Sequence, residues 1–340
     1  MPYVDIAQGN DFASLWYTTN SPTGHVSSFD FDKPTVILLH PFFLDSTWLD
    51  AQFGDPRLNE DYNLIAFDQR AAGRTLSRPN GKQDAWTDAA DLAFACHALW
   101  LPPAHIWASE TTGANLAIRF SAMCVSPSLS AFLVKWLLEA YFHTCDELLH
   151  MWAHAEDLDT LEFTLMQVIA YISGPDVDAD LADEVIGYFE TAYPPYNRAK
   201  LAQIGNVLMN REALTKKEHA AIRQPVLLIH GDKNQIHPIQ HAHNMVADLI
   251  NAKDGASCTR SKLADDPSIA QRDPLSPMSF SRISVAVQQL QVENYMAAAK
   301  GAKKAFSPLG SDGRPMRKYS ERKHDHWFQG DRSWMSYVGK

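Results

Sequence analysis

The chain has 340 residues, of which 46% are apolar and 21% charged, a balance that is ordinary for a folded globular protein. Its net charge of −10 argues against general nucleic-acid binding, and no uncharged apolar stretch reaches the roughly 18 residues of a membrane span. The N-terminus lacks a basic region followed by an apolar run, and the four cysteines include no CxxC pair. We therefore expect a cytoplasmic protein without a secretory signal.

Short apolar runs bounded by turn signals predict the strands of a sheet. The clearest runs are residues 35–39, 62–67, 105–108 and 225–229, and weaker runs lie at residues 131–136 and 256–263. Runs this short and this rich in Val, Ile and Leu are typical of strands that are buried on both faces of a parallel sheet.

Helical patterns separate these runs. Apolar residues at helical spacing predict helices over residues 84–99, 112–123 and 279–299. From about Glu139 to Ile222 every pattern is helical, which predicts an all-helical insertion before the strand at residues 225–229. The sequence therefore predicts an α/β fold, with a mostly parallel central sheet flanked by helices.

The domain organisation follows from these changes of pattern. We expect a core of residues 1–138 and 223–299, a helical lid of residues 139–222 and a basic tail of residues 300–340. The tail has ten Lys or Arg and four Asp or Glu, a net charge of +6, while the other residues carry −16. Such a tail could bind an anionic surface, although a solvated tail is the simpler interpretation.

Four motifs follow the predicted strands in a meaningful order. They are LLHPFFLDSTW at residues 38–48, FDQRAAGRT at 67–75, HIWASETTGANLAIRF at 105–120 and LLIHGDKNQIHP at 227–238. Together they resemble the α/β-hydrolase superfamily, in particular its members from basidiomycete fungi, over roughly residues 25–290. The resemblance implies that the first motif is an oxyanion-stabilising turn, the second an Asp-x-Arg-Gly-x-Gly turn and the third the nucleophile elbow. It also implies that the helical insertion is a lid over the substrate pocket.

The elbow departs from the pattern of the family. Residues 109–113, Ser-Glu-Thr-Thr-Gly, align with Gly-x-Ser-x-Gly and put Thr111 in the nucleophile position. A threonine hydroxyl can attack a carbonyl, but its β-methyl group restricts χ1 in a strained turn. The resemblance further implies an oxyanion hole formed by the backbone N–H groups of Thr112 and of Phe42 or Phe43. His40 is expected to support this loop by hydrogen bonds.

The positions of the catalytic acid and base depart further from the pattern of the family. Asn234 occupies the usual acid position, so Glu139, near the end of the strand after the elbow helix, is the preferred acid, and Asp232 is the third candidate. Pro267 aligns with the usual histidine. The histidines that come later in the chain are His324 and His326, which a tail folding over the pocket could bring to the site as the base.

Other chemistries have weaker sequence support. His237, His241 and His243 have spacings of four and two residues, but a histidine pair without carboxylate support is more often a solvated face, so we expect no metal. No Walker loop or dinucleotide-binding glycine pattern is present, and we expect no cofactor.

Three functions remain open from the sequence. The first is an enzyme that acts on a small apolar ester, lactone or related carbonyl compound, with Thr111 as nucleophile. The second is a pseudo-hydrolase that binds a small apolar ligand as a carrier or sensor. The third is a repurposed lyase or cyclase that uses the pocket without a covalent step. In each case the partner is a small apolar molecule, and the sequence indicates no oligomeric state.

Overall fold

The computed structural model describes residues 2–8, 11–78, 83–108, 110–123, 131–134, 142–173, 177, 179–210, 213–231, 239–252 and 256–261. For Glu110 and Thr111 the description covers the backbone.

The described strands form a mixed sheet. They are β1 (Tyr3–Gln8), β2 (Asp11–Thr19), β3 (Thr35–Leu39), β4 (Asn63–Phe67), β5 (Leu76–Ser77), β6 (Ala104–Ala108), β7 (Ala131–Val134), β8 (Val226–Gly231) and β9 (Ala256–Ser261). Their order is β1-β2-β4-β3-β6-β7-β8-β9, and β5 pairs with β2. The pairs from β4 to β9 are parallel, whereas β1, β2 and β5 pair in antiparallel fashion.

Helices cover the sheet and fill the insertion. They are α1 (Asp50–Gly54), α2 (Pro56–Asp61), α3 (Ala85–Ala98), α4 (Glu110–Met123), α5 (Phe142–Ala153), α6 (Leu158–Ser173), α7 (Ala179–Ala192), α8 (Arg198–Met209), α9 (Lys216–Ala221) and α10 (Ile239–Asp248). We call residues 142–210, with α5 to α8, the helical insertion. Within the described residues, no helix is long and apolar enough to cross a membrane.

The predicted α/β architecture is confirmed. Every residue of β3, β4 and β6 is buried, which explains why their sequences are continuous apolar runs. The antiparallel hairpin of β1 and β2 was not predicted, because polar and aromatic residues interrupt the apolar residues of β2. The helix predicted at residues 279–299 lies outside the described residues.

Three apolar clusters make up the described core. One lies between the sheet and helices α3, α4 and α10, and a smaller one lies on the opposite face, where Leu58 and Tyr62 pack against β3 and β4. The third is the core of the helical insertion, and it includes Phe42, Phe43 and Leu44 from the loop after β3. The insertion and the sheet are therefore joined through this loop.

A buried ionic group fixes the loop after β4. Arg70 is 1% exposed, and its guanidinium lies 2.6 Å from the carboxylate of Asp11 and 2.5 Å from that of Asp91. Burial opposes the charge of Arg70, but the two carboxylates outweigh this effect and raise its pKa. Loss of the arginine would leave two buried carboxylates without their cation, so the group ties β2 and α3 firmly to this loop.

A further buried carboxyl lies one turn before Asp91 on α3. Asp88 is almost fully buried, and its Oδ1 accepts a hydrogen bond from Gln83 Nε2 at 2.7 Å. Burial raises the pKa of Asp88 well above its usual range, and the charge of Asp91 raises it further. The folded protein therefore favours the neutral acid at this position.

Replacement of Asp88 by Asn tests this ionisation. Because its pKa is raised on folding, the stabilising contribution of Asp88 is present below the usual pKa of Asp and is lost as the pH rises toward the folded-state value, by up to about 1.4 kcal/mol per pH unit. Asn keeps the acceptor for Gln83 and cannot ionise. Urea unfolding at pH 5 and pH 8 should show a smaller loss of stability for Asp88→Asn than for the wild type.

The exposed Asp32 provides a matched control. Asp32→Asn makes the same substitution outside the core and should leave the wild-type difference between pH 5 and pH 8 unchanged. Equal pH dependence in the wild type and Asp88→Asn would show that Asp88 is ionised in the folded protein.

Candidate functional site

The turn after β3 is held by His40. Its Nδ1 lies 2.8 Å from the carbonyl oxygen of Pro41, and its Nε2 accepts a hydrogen bond from the backbone N–H of Gln69 at 3.1 Å. Since Nε2 accepts, Nδ1 carries the proton and donates to Pro41. Both ring nitrogens are therefore used to join the turn after β3 to the turn after β4, and His40 supports the loop rather than acting as a base.

Residues 41–44 form a tight turn in this loop. The N–H of Leu44 donates to the carbonyl oxygen of Pro41 at 3.4 Å, and Phe43 has a φ of 61°. A turn closed in this way does not use the N–H groups of its two central residues, here Phe42 and Phe43. A non-glycine residue in the left-handed region costs of order 1 kcal/mol, so other contacts must stabilise this conformation.

Those contacts come from the helical insertion. The centroid of the Phe43 ring lies 5.0 Å from that of Trp152, 5.9 Å from that of Phe189 and 5.7 Å from that of Tyr193. The indole N–H of Trp152 donates to the carbonyl oxygen of Tyr193 at 3.0 Å. The side chain of Phe43, a predicted oxyanion-loop residue, is thus a buried anchor for the insertion. Its backbone N–H is the group that could take part in chemistry.

Asp68, directly after β4, joins the same loop to its own turn. Its carboxylate accepts hydrogen bonds from the backbone N–H of Ser46 and of Arg74, both at 2.8 Å. Gly73 has a φ of 45°, and a Cβ there would overlap the Asp68 carboxylate. Ala71, where the family pattern has Gly, also has a positive φ, of 62°.

A second carboxylate links this loop to α7. Asp45 Oδ1 accepts from the backbone N–H of Thr47 at 2.9 Å, and Oδ2 accepts from the hydroxyl of Tyr188 at 2.8 Å. Burial raises the pKa of Tyr188, and nearby Tyr193 and Asp45 raise it further, so the phenol remains protonated and donates. Burial lowers the pKa of neighbouring Lys200, although Asp45 and Asp68 oppose this shift.

Helix α4 approaches this loop closely. A Cβ on Gly113 would lie 3.1 Å from the carbonyl oxygen of His40 and 3.2 Å from that of Leu39. Glycine lets the backbone of α4 come this near to the end of β3 without crowding these oxygens. The first turn of α4 therefore lies against the loop that holds Phe42 and Phe43.

The predicted nucleophile position falls on this turn. Thr111 is the second residue of α4, which begins two residues after the end of β6, and β6 is the neighbour of β3 in the sheet. Thr112 is the next residue and is 5% exposed. The N–H groups of a first helical turn have no partner within the helix, and they favour negative charge.

The other predicted site residues cannot be placed. Glu139, Asp232, Asn234 and His326 lie outside the described residues. His237 also lies outside them, while His241 and His243 are two residues apart on α10. Within the part of the chain that the structure describes, no three His, Cys, Asp or Glu residues group as metal ligands.

Sequence reasoning missed Asp45, Tyr188 and Lys200. Asp45 lies in the first motif, and its place before Ser46 and Thr47 is typical of a residue that caps a turn. Tyr188 and Lys200 are common surface residue types on amphipathic helices, and no local pattern distinguishes them. Tyr188 connects the insertion to the loop through Asp45, and Lys200 Nζ lies 5.0 Å from the centroid of the Tyr193 ring. The described geometry assigns these residues no covalent chemistry.

The fold has many solved counterparts, although no family model and no curated protein sequence matches the chain. An esterase from Exiguobacterium antarcticum is 14% identical, with a TM-score of 0.62 over 83% of this chain and 98% of that one. A thermophilic esterase from Thermogutta terrifontis is 16% identical, with a TM-score of 0.58 over 83% and 98% of the two chains. A bromoperoxidase from Bacillus anthracis is 14% identical, with a TM-score of 0.59 over 82% and 99%.

These similarities confirm the fold predicted from the four motifs. The chain has the α/β-hydrolase fold, with a mixed sheet flanked by helices. Identities this low show the fold alone. The affinity with basidiomycete members stays a prediction.

Replacement of Gly113 by Ala tests the close approach of α4. The new Cβ would meet two backbone carbonyl oxygens, which cannot move as a flexible side chain can, so we expect a loss of about 1–3 kcal/mol in the free energy of unfolding. Chemical denaturation measures this loss.

Gly187→Ala on α7 is the matched control, because a Cβ there meets nothing within 4 Å. Helix propensity should make that variant about 0.5–1 kcal/mol more stable. A Gly113→Ala variant as stable as Gly187→Ala would contradict the packing described.

Replacement of Tyr188 by Phe tests the connection between α7 and the loop. Loss of the hydrogen bond to a buried carboxylate should lower the free energy of unfolding by about 1.5–3 kcal/mol. Tyr196→Phe removes a hydroxyl from a side chain that is 82% exposed and should change stability little. Equal thermal unfolding curves for the two variants would show that the Asp45 contact is absent in solution.

Proposed function

We propose that this protein is a hydrolase-type enzyme that acts on a small apolar ester, lactone or related carbonyl compound, with Thr111 as nucleophile. The observation that carries the proposal is the position of Thr111 on the first turn of α4, between β6 and the loop after β3. A nucleophile in this position would lie among backbone N–H groups that face the developing negative charge of an acyl-transfer reaction.

The backbone geometry supports an oxyanion hole. Thr112 would supply one N–H from the first turn of α4, and Phe42 or Phe43 would supply the other from the turn of residues 41–44. The bonds made by His40, Asp68 and Asp45 hold this turn in place before any substrate binds. Donors that are already oriented need no reorganisation when charge develops. One such donor lowers the activation barrier by about 2.7–4 kcal/mol.

The surroundings support an apolar substrate. The loop with Phe42 and Phe43 packs into the apolar core of the helical insertion, and we propose that the insertion acts as the lid predicted over residues 139–222. Aromatic and aliphatic side chains bordering a cleft favour an apolar acyl or alkyl group.

The reaction would proceed by acyl transfer. The Thr111 oxygen would bond to the carbonyl carbon while its proton passes to a base, for which His326 is our candidate. The carbon–oxygen bond to the leaving alcohol would then break, and the alcohol would take up this proton. Water would release the acid from Thr111 by the same steps. Glu139, or else Asn234 or Asp232, would orient the base.

Replacement of Thr111 tests the proposal. We expect wild-type protein to react slowly with a fluorophosphonate probe and with p-nitrophenyl acetate or butyrate. Thr111→Ser removes the β-methyl group and its χ1 restriction, and should raise both rates by about tenfold, about 1.4 kcal/mol in the barrier. Thr111→Ala should abolish both. The rates are measured by probe labelling and by release of p-nitrophenol.

Thr191→Ser is the control, because it removes a β-methyl group from an exposed threonine on α7 without changing the nucleophile. It should leave the rates at the wild-type level. The same assay on His326→Ala should show a loss of turnover if this histidine is the base. If neither the wild type nor Thr111→Ser reacts, the enzyme proposal fails in favour of a ligand-binding pseudo-hydrolase or of a lyase or cyclase.

A further inference from the structure

The net negative charge of the chain is concentrated in the helical insertion. Residues 142–210 contain twelve Asp or Glu and two Lys or Arg, a net charge of −10, while the rest of the chain has 28 of each and no net charge. Many of these acids are exposed on the described surface: Glu147, Glu156, Asp157, Asp159, Glu162, Asp180, Asp183 and Glu184. With two cations available, the insertion cannot neutralise its own acids.

A groove opens on this acidic surface. It has a volume of about 460 Å³ and lies between the turn that joins α5 to α6 and the turn before α8. One wall carries Glu156 and Asp157, and the apolar lining includes Leu158, which is 58% exposed, and Tyr196, which is 82% exposed. Hydrogen bonds from Thr160 lower the pKa of Asp157, so its carboxylate is charged at neutral pH. The groove therefore combines negative charge with exposed apolar and aromatic surface.

The basic tail has the complementary chemistry. Residues 300–340 carry a net charge of +6 and contain six aromatic residues, three of which lie in the basic run RPMRKYSERKHDHWF. Lysine and arginine pair with carboxylates, and arginine also packs on aromatic faces such as that of Tyr196. An aromatic side chain of the tail could bury the apolar surface of Leu158.

We propose that the basic tail, residues 300–340, binds the groove on the helical insertion of the same chain. Residues 262–299 separate the last described strand from the tail. Thirty-eight residues would span about 130 Å if extended and about 57 Å even as a helix, so the connection is long enough. Attachment to the same chain also raises the effective concentration of the tail at the groove, which favours binding within the chain over binding between chains. The tail also contains His326, the candidate base, three residues after Lys323. The inference does not rest on that role, because the cross-links described next report binding at the groove whether or not His326 takes part in catalysis.

Carbodiimide cross-linking of the full-length protein tests this inference, because it joins lysines to carboxylates only where they touch. At low salt, mass spectrometry should find Lys303, Lys304, Lys318 or Lys323 joined to Glu156, Asp157 or Asp159. At 0.5 M NaCl the yield should fall, because salt screens exposed charges. An equal mixture of light and heavy isotope-labelled protein should give only light–light and heavy–heavy products.

Two variants with opposite effects locate the site. Glu156→Lys should lower the yield of cross-links from the tail to Asp157 about threefold or more, and Arg198→Glu, on the opposite wall of the groove, should raise it. Asp183→Lys is the matched control, with the same change of charge at an exposed position on α7, and should leave that yield unchanged.

Several results would overturn the proposal. Mixed light–heavy products would assign the groove to the tail of a second copy. An equal effect of Glu156→Lys and Asp183→Lys would show general attraction without a site. Cross-links from the tail to acids elsewhere in the chain, or none at all, would show that the groove has another use.

Discussion

The contact between α4 and the end of β3 is the constraint on which the candidate site depends. Gly113 lets the backbone of α4 approach the carbonyl oxygens of Leu39 and His40 at a distance where a Cβ would be crowded. Because α4 follows β6 after a single residue and β6 is the neighbour of β3, the first turn of α4, with the backbone of Thr111 and Thr112, lies near the end of β3. The position of the candidate nucleophile relative to the loop amides therefore depends on this one contact.

Polar groups hold the loops around this contact in a single arrangement. His40 and Asp68 join the turns after β3 and β4 through backbone hydrogen bonds, and Arg70 anchors the second turn between two buried carboxylates. Phe43, in a left-handed conformation, packs into the helical insertion, and Asp45 binds Tyr188 from α7. Positive φ values at Phe43 and Ala71 persist because these contacts over-determine the backbone, as is common near functional sites.

The sequence predicts the parts of the fold that depend on local pattern. Strands β3, β4 and β6 are continuous apolar runs, and Gly113 marks the elbow, so their positions could be predicted closely. The hairpin of β1 and β2 could not, because its buried apolar residues alternate with others, as in Ala13, Leu15 and Tyr17 of β2, and so form no continuous apolar run. The role of Phe43 as an anchor and of Tyr188 as a donor to Asp45 depends on contacts between distant parts of the chain, which no local pattern encodes. The acid and base candidates Glu139 and His326 stay predictions because they lie outside the described residues.

We propose that the hydroxyl of Thr111 lies at the mouth of a cleft, next to backbone donors from Thr112 and from Phe42 or Phe43. A crystal structure of the full-length protein after reaction with a phosphonate ester would locate this hydroxyl. We expect phosphorus bonded to Thr111 Oγ1, with the phosphonyl oxygen about 2.7–3.1 Å from those two nitrogen atoms. A phosphonate bonded to another side chain, or a Thr111 hydroxyl directed into the packed interior, would contradict it.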